Sequence, residues 1–165
     1  MTHVRYIDKT RDYYLSQGYD KPYEWARHDT APFTPLTKPL SDCKIGLLTT
    51  SEMAIRYDEE TEENPIKEEG FRSVYAIPAE VPTDKLYCRT HSYDRYATTL
   101  DDVNSYYPVD RLQEALAAGR IGAISDQHVG CYNNYSVRKV LTDEAPKALA
   151  LCHEQGIDAL VMVPV

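Results

Sequence analysis

Two short runs of the chain, residues 44–50 and residues 158–165, are apolar at nearly every consecutive position. Strands covered by helices on both faces need apolar side chains on both faces, so such runs are typical of a buried parallel sheet. The second run directly follows a helical pattern that begins near Ser136 and ends at Gly156. A helix followed by a buried strand predicts an α/β fold, with three layers around an open, mostly parallel, Rossmann-like sheet.

Other segments fill in this outline. The spacing of apolar residues predicts a helix over residues 4–17, and another that starts at Pro108 and stops at Gly119. Further strands are predicted over residues 72–77, 86–90 and 121–124. Pro146 interrupts the last helical pattern, so we expect a kink or a restart near residues 142–144. Residues 19–40 are rich in proline and aromatic residues, which predicts an extended N-terminal arm.

Length and composition limit the class of protein. A chain of 165 residues is expected to form a single α/β domain, with a helix and arm in residues 1–40 and the sheet core in residues 41–165. The net charge of −8 argues against nucleic acid and against an acidic membrane surface as partners. There is no long apolar run and no signal-peptide pattern, which predicts a cytoplasmic protein. The four cysteines form no CxxC pair, so free thiols are expected.

Candidate binding residues follow from the expected sheet, because ligands of open α/β sheets bind beyond the carboxyl ends of the strands. Thr50 and Ser51 come directly after the first strand, and their hydroxyls and backbone amides suit a carboxylate or a phosphate. Tyr132 and Asn133 lie in a polar and aromatic segment after residue 128, and we expect them near a substrate. There is no glycine-rich phosphate loop, so a bound nucleotide is not expected.

Four residues are candidates for chemistry at the same edge: His91, Asp94, His128 and Cys131. Both histidines are expected just after predicted strands, where an imidazole can transfer protons and Asp94 can orient one. Cys131 is a candidate nucleophile, although nothing in the sequence indicates a lowered thiol pKa. His91, His128 and Cys131 form a weaker alternative as metal ligands, with Asp94 or His153 as the obvious candidates for a further ligand, and no metal is expected.

Several short motifs, in order along the chain, resemble the selenoprotein B family of glycine, sarcosine, betaine and D-proline reductases. They are His91, Tyr93-Asp94, Asp102-x-Asn104, Tyr107-Pro108, Arg111-Leu112, Gly119-Arg120-Ile121-Gly122 and His128, with Val4-Arg5-Tyr6-Ile7-Asp8 and Tyr19-x-Lys21-Pro22-Tyr23 upstream, and Gly156-Ile157-Asp158-Ala159 and Val163-Pro164-Val165 downstream. The resemblance implies reductive cleavage of a C–N bond in a small amino acid or amine. It also implies a redox thiol or selenol, and a place among the subunits of a reductase complex.

The resemblance implies that a cysteine or selenocysteine comes immediately after Val165, and this sequence contains neither at that place. Three explanations stay open. The codon after Val165 is a selenocysteine codon taken as a stop, the chain is truncated for another reason, or the short form is natural and completed by dimerisation. The favoured function is accordingly a reductase-like oxidoreductase. The alternatives are a non-catalytic binding or assembly subunit and a homodimeric protein that uses histidine or metal chemistry.

Overall fold

The computed structural model describes residues 5–22, 24, 27–56, 73–90, 93, 96, 99–132 and 136–165. The described chain divides into two compact units, residues 1–34 and residues 35–165. The described residues of the first unit include the helix α1 (Tyr6–Ser16), close to the expected bounds. Gly18 ends it in a left-handed conformation with φ of +87°, which glycine adopts without steric cost. The expected single domain with an extended arm stays a prediction.

The second unit is built on a mostly parallel sheet. Its described strands are β1 (Lys44–Thr49), β2 (Met53–Ile55), β3 (Val74–Pro78), β4 (Leu86–Cys88), β5 (Ala123–Ile124), β6 (Gln127–Cys131) and β7 (Ala159–Val163). β1 is central and pairs in parallel with β5 and β6 along one edge and with β7 along the other. β3 adds an antiparallel strand beyond β6, and β2 pairs with β4 in a separate two-stranded ribbon. The α/β class with a mostly parallel sheet is thereby confirmed.

Helices cover both faces of this sheet. On one face, which we call the closed face, α2 (Val109–Ala117) packs through Val109 and Leu112 onto Ile45 and Leu47. On the opposite face, called the cavity face, α4 (Ala145–Glu154) packs onto the neighbouring residue Leu48. Adjacent residues of a strand point to opposite faces, so the consecutive apolar run in β1 is used by both layers.

The last helical segment is continuous through its proline. It runs as α3 (Val137–Lys139), a π-helical turn (Val140–Glu144) and then α4. Pro146 has no N–H to donate to the carbonyl four residues earlier, and the ladder widens by one residue just before it. The expected irregularity near residues 142–144 is therefore present, as a π turn and without a restart of the helix.

Two strands were not expected from the sequence. The sequence predicts that residues 127–131 only follow a strand, yet they form β6, which lies between β1 and β3. Residues 53–55 form β2, for which the sequence predicts no strand. Both strands are specified by pairing with distant partners more than by their own composition, which is the usual limit of local strand preference.

Candidate functional site

A cavity lies between the sheet and the last helical segment, on the cavity face and at the carboxyl ends of the parallel strands. It measures about 350 Å³. The strands contribute Leu48, Cys131, Leu160 and Met162, while Thr50 follows β1 and Tyr132 follows β6. The helical segment contributes Val140, Glu144, Ala145, Ala148, Leu149 and Cys152. A mostly apolar concave site of this volume with a few polar groups is the usual form of a small-molecule site.

Three of the residues expected to bind or act on a ligand meet at this cavity, namely Thr50, Cys131 and Tyr132. They come from the ends of β1 and β6, which are neighbours in the sheet. Parallel strands bring their carboxyl ends to one edge, which is the reason for the convergence. His91, Asp94 and Asn133 lie outside the described residues, so their expected roles stay predictions.

Thr50 fixes the segment after β7 beside the cavity. Its backbone N–H donates to the Val163 carbonyl at 3.3 Å, and its hydroxyl accepts from the Val165 N–H at 2.9 Å. The same hydroxyl lies 3.3 Å from the Val165 carbonyl oxygen, to which it donates. Both polar groups of Thr50 are thus engaged with the backbone, which differs from the open anion site expected from the sequence.

The side chain of Ser51 lies on the side of the sheet opposite to that of Thr50. It is completely buried, and its hydroxyl hydrogen-bonds Thr49 at 2.8 Å on the closed side of the sheet. The Thr49 hydroxyl lies 2.8 Å from the Tyr106 carbonyl, to which it donates its proton. Ser51 belongs to this buried hydroxyl cluster and is absent from the described lining of the cavity.

His128 follows β5, as expected, but it lies inside the next strand, β6, and not in a loop at the strand end. The pairing along this edge of β1 is irregular. Ile45 pairs with Ile124 and Leu48 pairs with Val129, so the four residues 125–128 lie opposite only two residues of β1. The imidazole fills this gap: the Leu47 N–H, which has lost its ladder acceptor, donates to His128 Nδ1 at 3.2 Å. A side-chain acceptor thereby satisfies a buried backbone donor.

The surroundings of His128 favour a neutral ring. Its side chain is 1% exposed, and its Nδ1 also lies 3.0 Å from the Ser125 hydroxyl. Because the Leu47 N–H donates to Nδ1, the ring proton is assigned to Nε2, which has no hydrogen-bond partner among the described residues. The imidazole also makes an edge-to-face contact with the Tyr107 ring, with centroids 5.7 Å apart. Burial lowers the pKa of His128 to about 4, which keeps the ring neutral at physiological pH.

His128 and Cys131 point to opposite faces of the sheet, because residues three apart in a strand have opposite directions. The structure therefore does not bring His128 and Cys131 together as two ligands of one metal ion. Within the part of the chain that is described, no cluster of three His, Cys, Asp or Glu side chains is arranged to hold a metal ion. The metal alternative gains no support from this geometry.

The cysteines at the cavity are protonated thiols near neutral pH. Burial, followed by the negative charge of Glu144 and by Cys152, raises the pKa of Cys131 to about 11. Burial also raises the thiol pKa of Cys152. All four cysteines of the chain are free, as expected. A nucleophilic thiol needs a lowered pKa, and the neighbours of Cys131 act in the other direction.

Glu144 is the site residue that sequence analysis missed. It ends the π-helical turn, is 4% exposed and lines the cavity. Lys139 Nζ lies 3.6 Å from Glu144 Oε1, beyond hydrogen-bond distance. Sequence analysis normally assigns an acidic residue of an amphipathic helix to the solvent face. The local sequence feature that could have indicated the buried position of Glu144 is Pro146, which widens the helical turn before it. π-helical turns are frequent at functional sites.

The chain is similar to one curated protein of known name. It is 24% identical over 131 residues to the D-proline reductase subunit gamma of Acetoanaerobium sticklandii. The similarity supports a distant relation to this reductase. The match covers 79% of the present chain and 52% of the relative, so the chain spans about half the length of that subunit.

Two other comparisons give no match. No protein-family profile matches the chain, and no solved structure does so. Among the described residues, none of the helices combines the length and the apolar character that a membrane crossing requires.

Proposed function

We propose that this chain is a substrate-binding domain of a reductase that acts on a small amino acid or amine, with the strand-end cavity as the binding site. The observation that carries the proposal is the convergence of Thr50, Cys131 and Tyr132 on one cavity at the carboxyl edge of a parallel sheet. The distant similarity to a D-proline reductase subunit supports the reaction class.

We assign the described residues to binding and not to the redox step. Reductive cleavage of a C–N bond needs a donor of two electrons, and the thiols at this cavity have raised pKa values that disfavour the thiolate. The resemblance in the sequence implies a thiol or selenol directly after Val165. The hydrogen bonds between Val165 and Thr50 hold that segment beside the cavity, which suits such an arrangement.

Binding can be tested with two matched leucines. Leu149 lines the cavity and is 55% exposed, whereas Leu141 is 59% exposed and is not among the lining residues. We expect saturable binding of at least one small amino acid or amine, D-proline among the ligands tried, by isothermal titration calorimetry. Leu149→Trp should abolish binding by filling the cavity, and Leu141→Trp should leave it unchanged. Equal effects of both variants, or no binding by the unmodified protein, would refute the proposal.

A second candidate function is assembly through β7. Among the described strands, β7 pairs only with β1, and Val161 and Met162 on it are 38% and 67% exposed. An unpaired strand edge is a template for another chain, either a second copy or a reductase subunit. Val161→Lys should weaken such an assembly in light scattering. Val137→Lys, at an exposed position on α3, is the matched control.

A further inference from the structure

Two polar residues of the cavity wall are already engaged within the protein. The Glu144 carboxylate is buried, Lys139 Nζ lies 3.6 Å from its Oε1, and Glu144 has further interactions in the folded chain. Both polar groups of Thr50 bond to the backbone of Val163 and Val165. A ligand charge placed inside the cavity would therefore lose its hydration without gaining a partner from these groups.

The rest of the described wall is uncharged and mostly apolar. Cys131 and Cys152 are protonated thiols near neutral pH, because burial raises the pKa of both. Tyr132 adds one hydroxyl and is 38% exposed. The other lining residues carry hydrocarbon or thioether side chains: Leu48, Val140, Ala145, Ala148, Leu149, Leu160 and Met162. The surface that this wall offers to a ligand is therefore mostly hydrocarbon.

The volume of the cavity indicates the size of the ligand part that fits it. The cavity measures about 350 Å³, whereas an apolar cavity of about 150 Å³ in a protein holds one benzene ring. The space thus matches a body of roughly two fused rings. A five-membered ring such as that of proline would fill only a small part of it and would leave wall atoms without contacts.

We propose that the cavity takes an uncharged apolar body of about two fused rings, and that any charged groups of the ligand stay hydrated at the opening. The inference rests on the proposed binding function and deepens it by naming the ligand class, an amino acid or amine whose apolar side chain is larger than the ring of proline. The opening is bordered by exposed Leu149 and Met162 and by Tyr132, whose hydroxyl can meet a polar group there. Burial of the apolar body supplies the affinity.

Three probes separate size from charge. Phenol and 2-naphthol carry the same hydroxyl on one ring and on two, and N-methylquinolinium has two rings with a permanent positive charge. In calorimetry near neutral pH, 2-naphthol should bind about tenfold tighter than phenol, because its second ring buries more apolar surface. It should also bind about tenfold or more tighter than N-methylquinolinium, because the wall does not compensate a charge on the ring. Equal affinity for 2-naphthol and phenol, or tighter binding of N-methylquinolinium, would overturn the proposal.

Two matched alanines test whether the second ring lies in the cavity. Ala145 and Ala150 are both exposed residues of α4, and of the two only Ala145 lines the cavity. Ala145→Leu should weaken 2-naphthol binding by about fivefold or more and phenol binding by less than about twofold, because the added carbons occupy space that only the larger probe needs. Ala150→Leu should change neither affinity. If Ala145→Leu alters both affinities by the same factor, or alters neither, the assignment of size is wrong.

A variant of Glu144 tests whether the wall is compensated in charge. Glu144→Gln removes the carboxylate and nearly keeps its shape. Because the carboxylate is engaged within the protein, the preference for 2-naphthol over N-methylquinolinium should stay within about threefold of the unmodified protein. Unchanged 2-naphthol binding shows that the variant is folded. A preference that rises by about tenfold or more would show that the carboxylate had been available to a ligand cation, and would overturn the exclusion of charge.

The outcomes distinguish this inference from the proposed function. Amino acid binding that is lost in Leu149→Trp, together with no preference for the larger or the uncharged probe, would keep the binding function and refute the ligand class. Failure of all three probes and of every amino acid to bind would refute both. Binding of 2-naphthol and of amino acids that survives Leu149→Trp would place the ligand elsewhere and would also refute both.

Discussion

The two faces of the sheet are built from alternating residues of the same strands, but they are packed differently. On the closed face, Leu47 is completely buried, and His128 supplies a hydrogen bond that the β1 ladder lacks. On the cavity face, Leu48 and Cys131 border an opening that exposed Leu149 and Met162 also line. One register thus provides a rigid core on one side and room for a ligand on the other, as binding sites supported by a stable scaffold require.

Truncation of neighbouring leucines is the strongest test of this contrast. Leu47→Ala should cost about 3–5 kcal/mol, because it leaves an enclosed void, whereas Leu48→Ala should cost about 2–3 kcal/mol, because the existing opening admits water. Urea unfolding with a common m-value gives both free energies of unfolding. Equal costs would mean that the cavity face is packed as tightly as the closed face.

Protonation of His128 should destabilise the closed face. Its folded pKa, about 4, lies below the ordinary 6.5, so the unfolded state binds the proton more readily. Stability contributed by the neutral ring is therefore fully present above about pH 6.5 and is lost as the pH falls toward 4, by up to about 3 kcal/mol. His128→Asn keeps an acceptor near the Leu47 N–H and removes the titration. An identical pH dependence for this variant and the wild type would contradict the assignment.

The contrast between the faces also explains what the sequence could and could not predict. β1 and β7 were predictable because their runs of apolar residues reflect burial on both faces. β6 was missed because Gln127, His128 and Gly130 are poor local indicators of a strand, and pairing with β1 and β3 specifies it.

The site, too, was predictable only in part from the sequence. The convergence of Thr50, Cys131 and Tyr132 could be predicted from the parallel topology. The burial of Glu144 could not, because it depends on the π turn and on how the helix lies against the sheet. Likewise, the placement of His128 and Cys131 on opposite faces required the strand that local patterns did not reveal.

The thiol of Cys131 should react slowly on the cavity face. Its pKa rises from 9.0 to about 11, so the thiolate fraction at pH 8 falls by about 100-fold. Alkylation by iodoacetamide, followed by mass spectrometry, should show a rate about 100-fold below that of the unfolded protein. Glu144→Gln should raise the rate, since the carboxylate contributes to the shift. Alkylation as fast as in the unfolded chain would contradict the burial of this thiol.

Neighbouring threonines provide the finest comparison of the faces. Thr49 is completely buried on the closed face and hydrogen-bonds the Ser51 hydroxyl and the Tyr106 carbonyl. Thr50 is half-buried and bonds only the backbone of Val163 and Val165 among the described contacts. Thr49→Val should cost about 2–3 kcal/mol, because it leaves buried polar groups without partners, and Thr50→Val about 1 kcal/mol, because water can replace its hydroxyl. Urea unfolding measures both, and a larger cost at Thr50 would show that attachment of the segment after β7 contributes more to stability than the buried hydroxyl cluster.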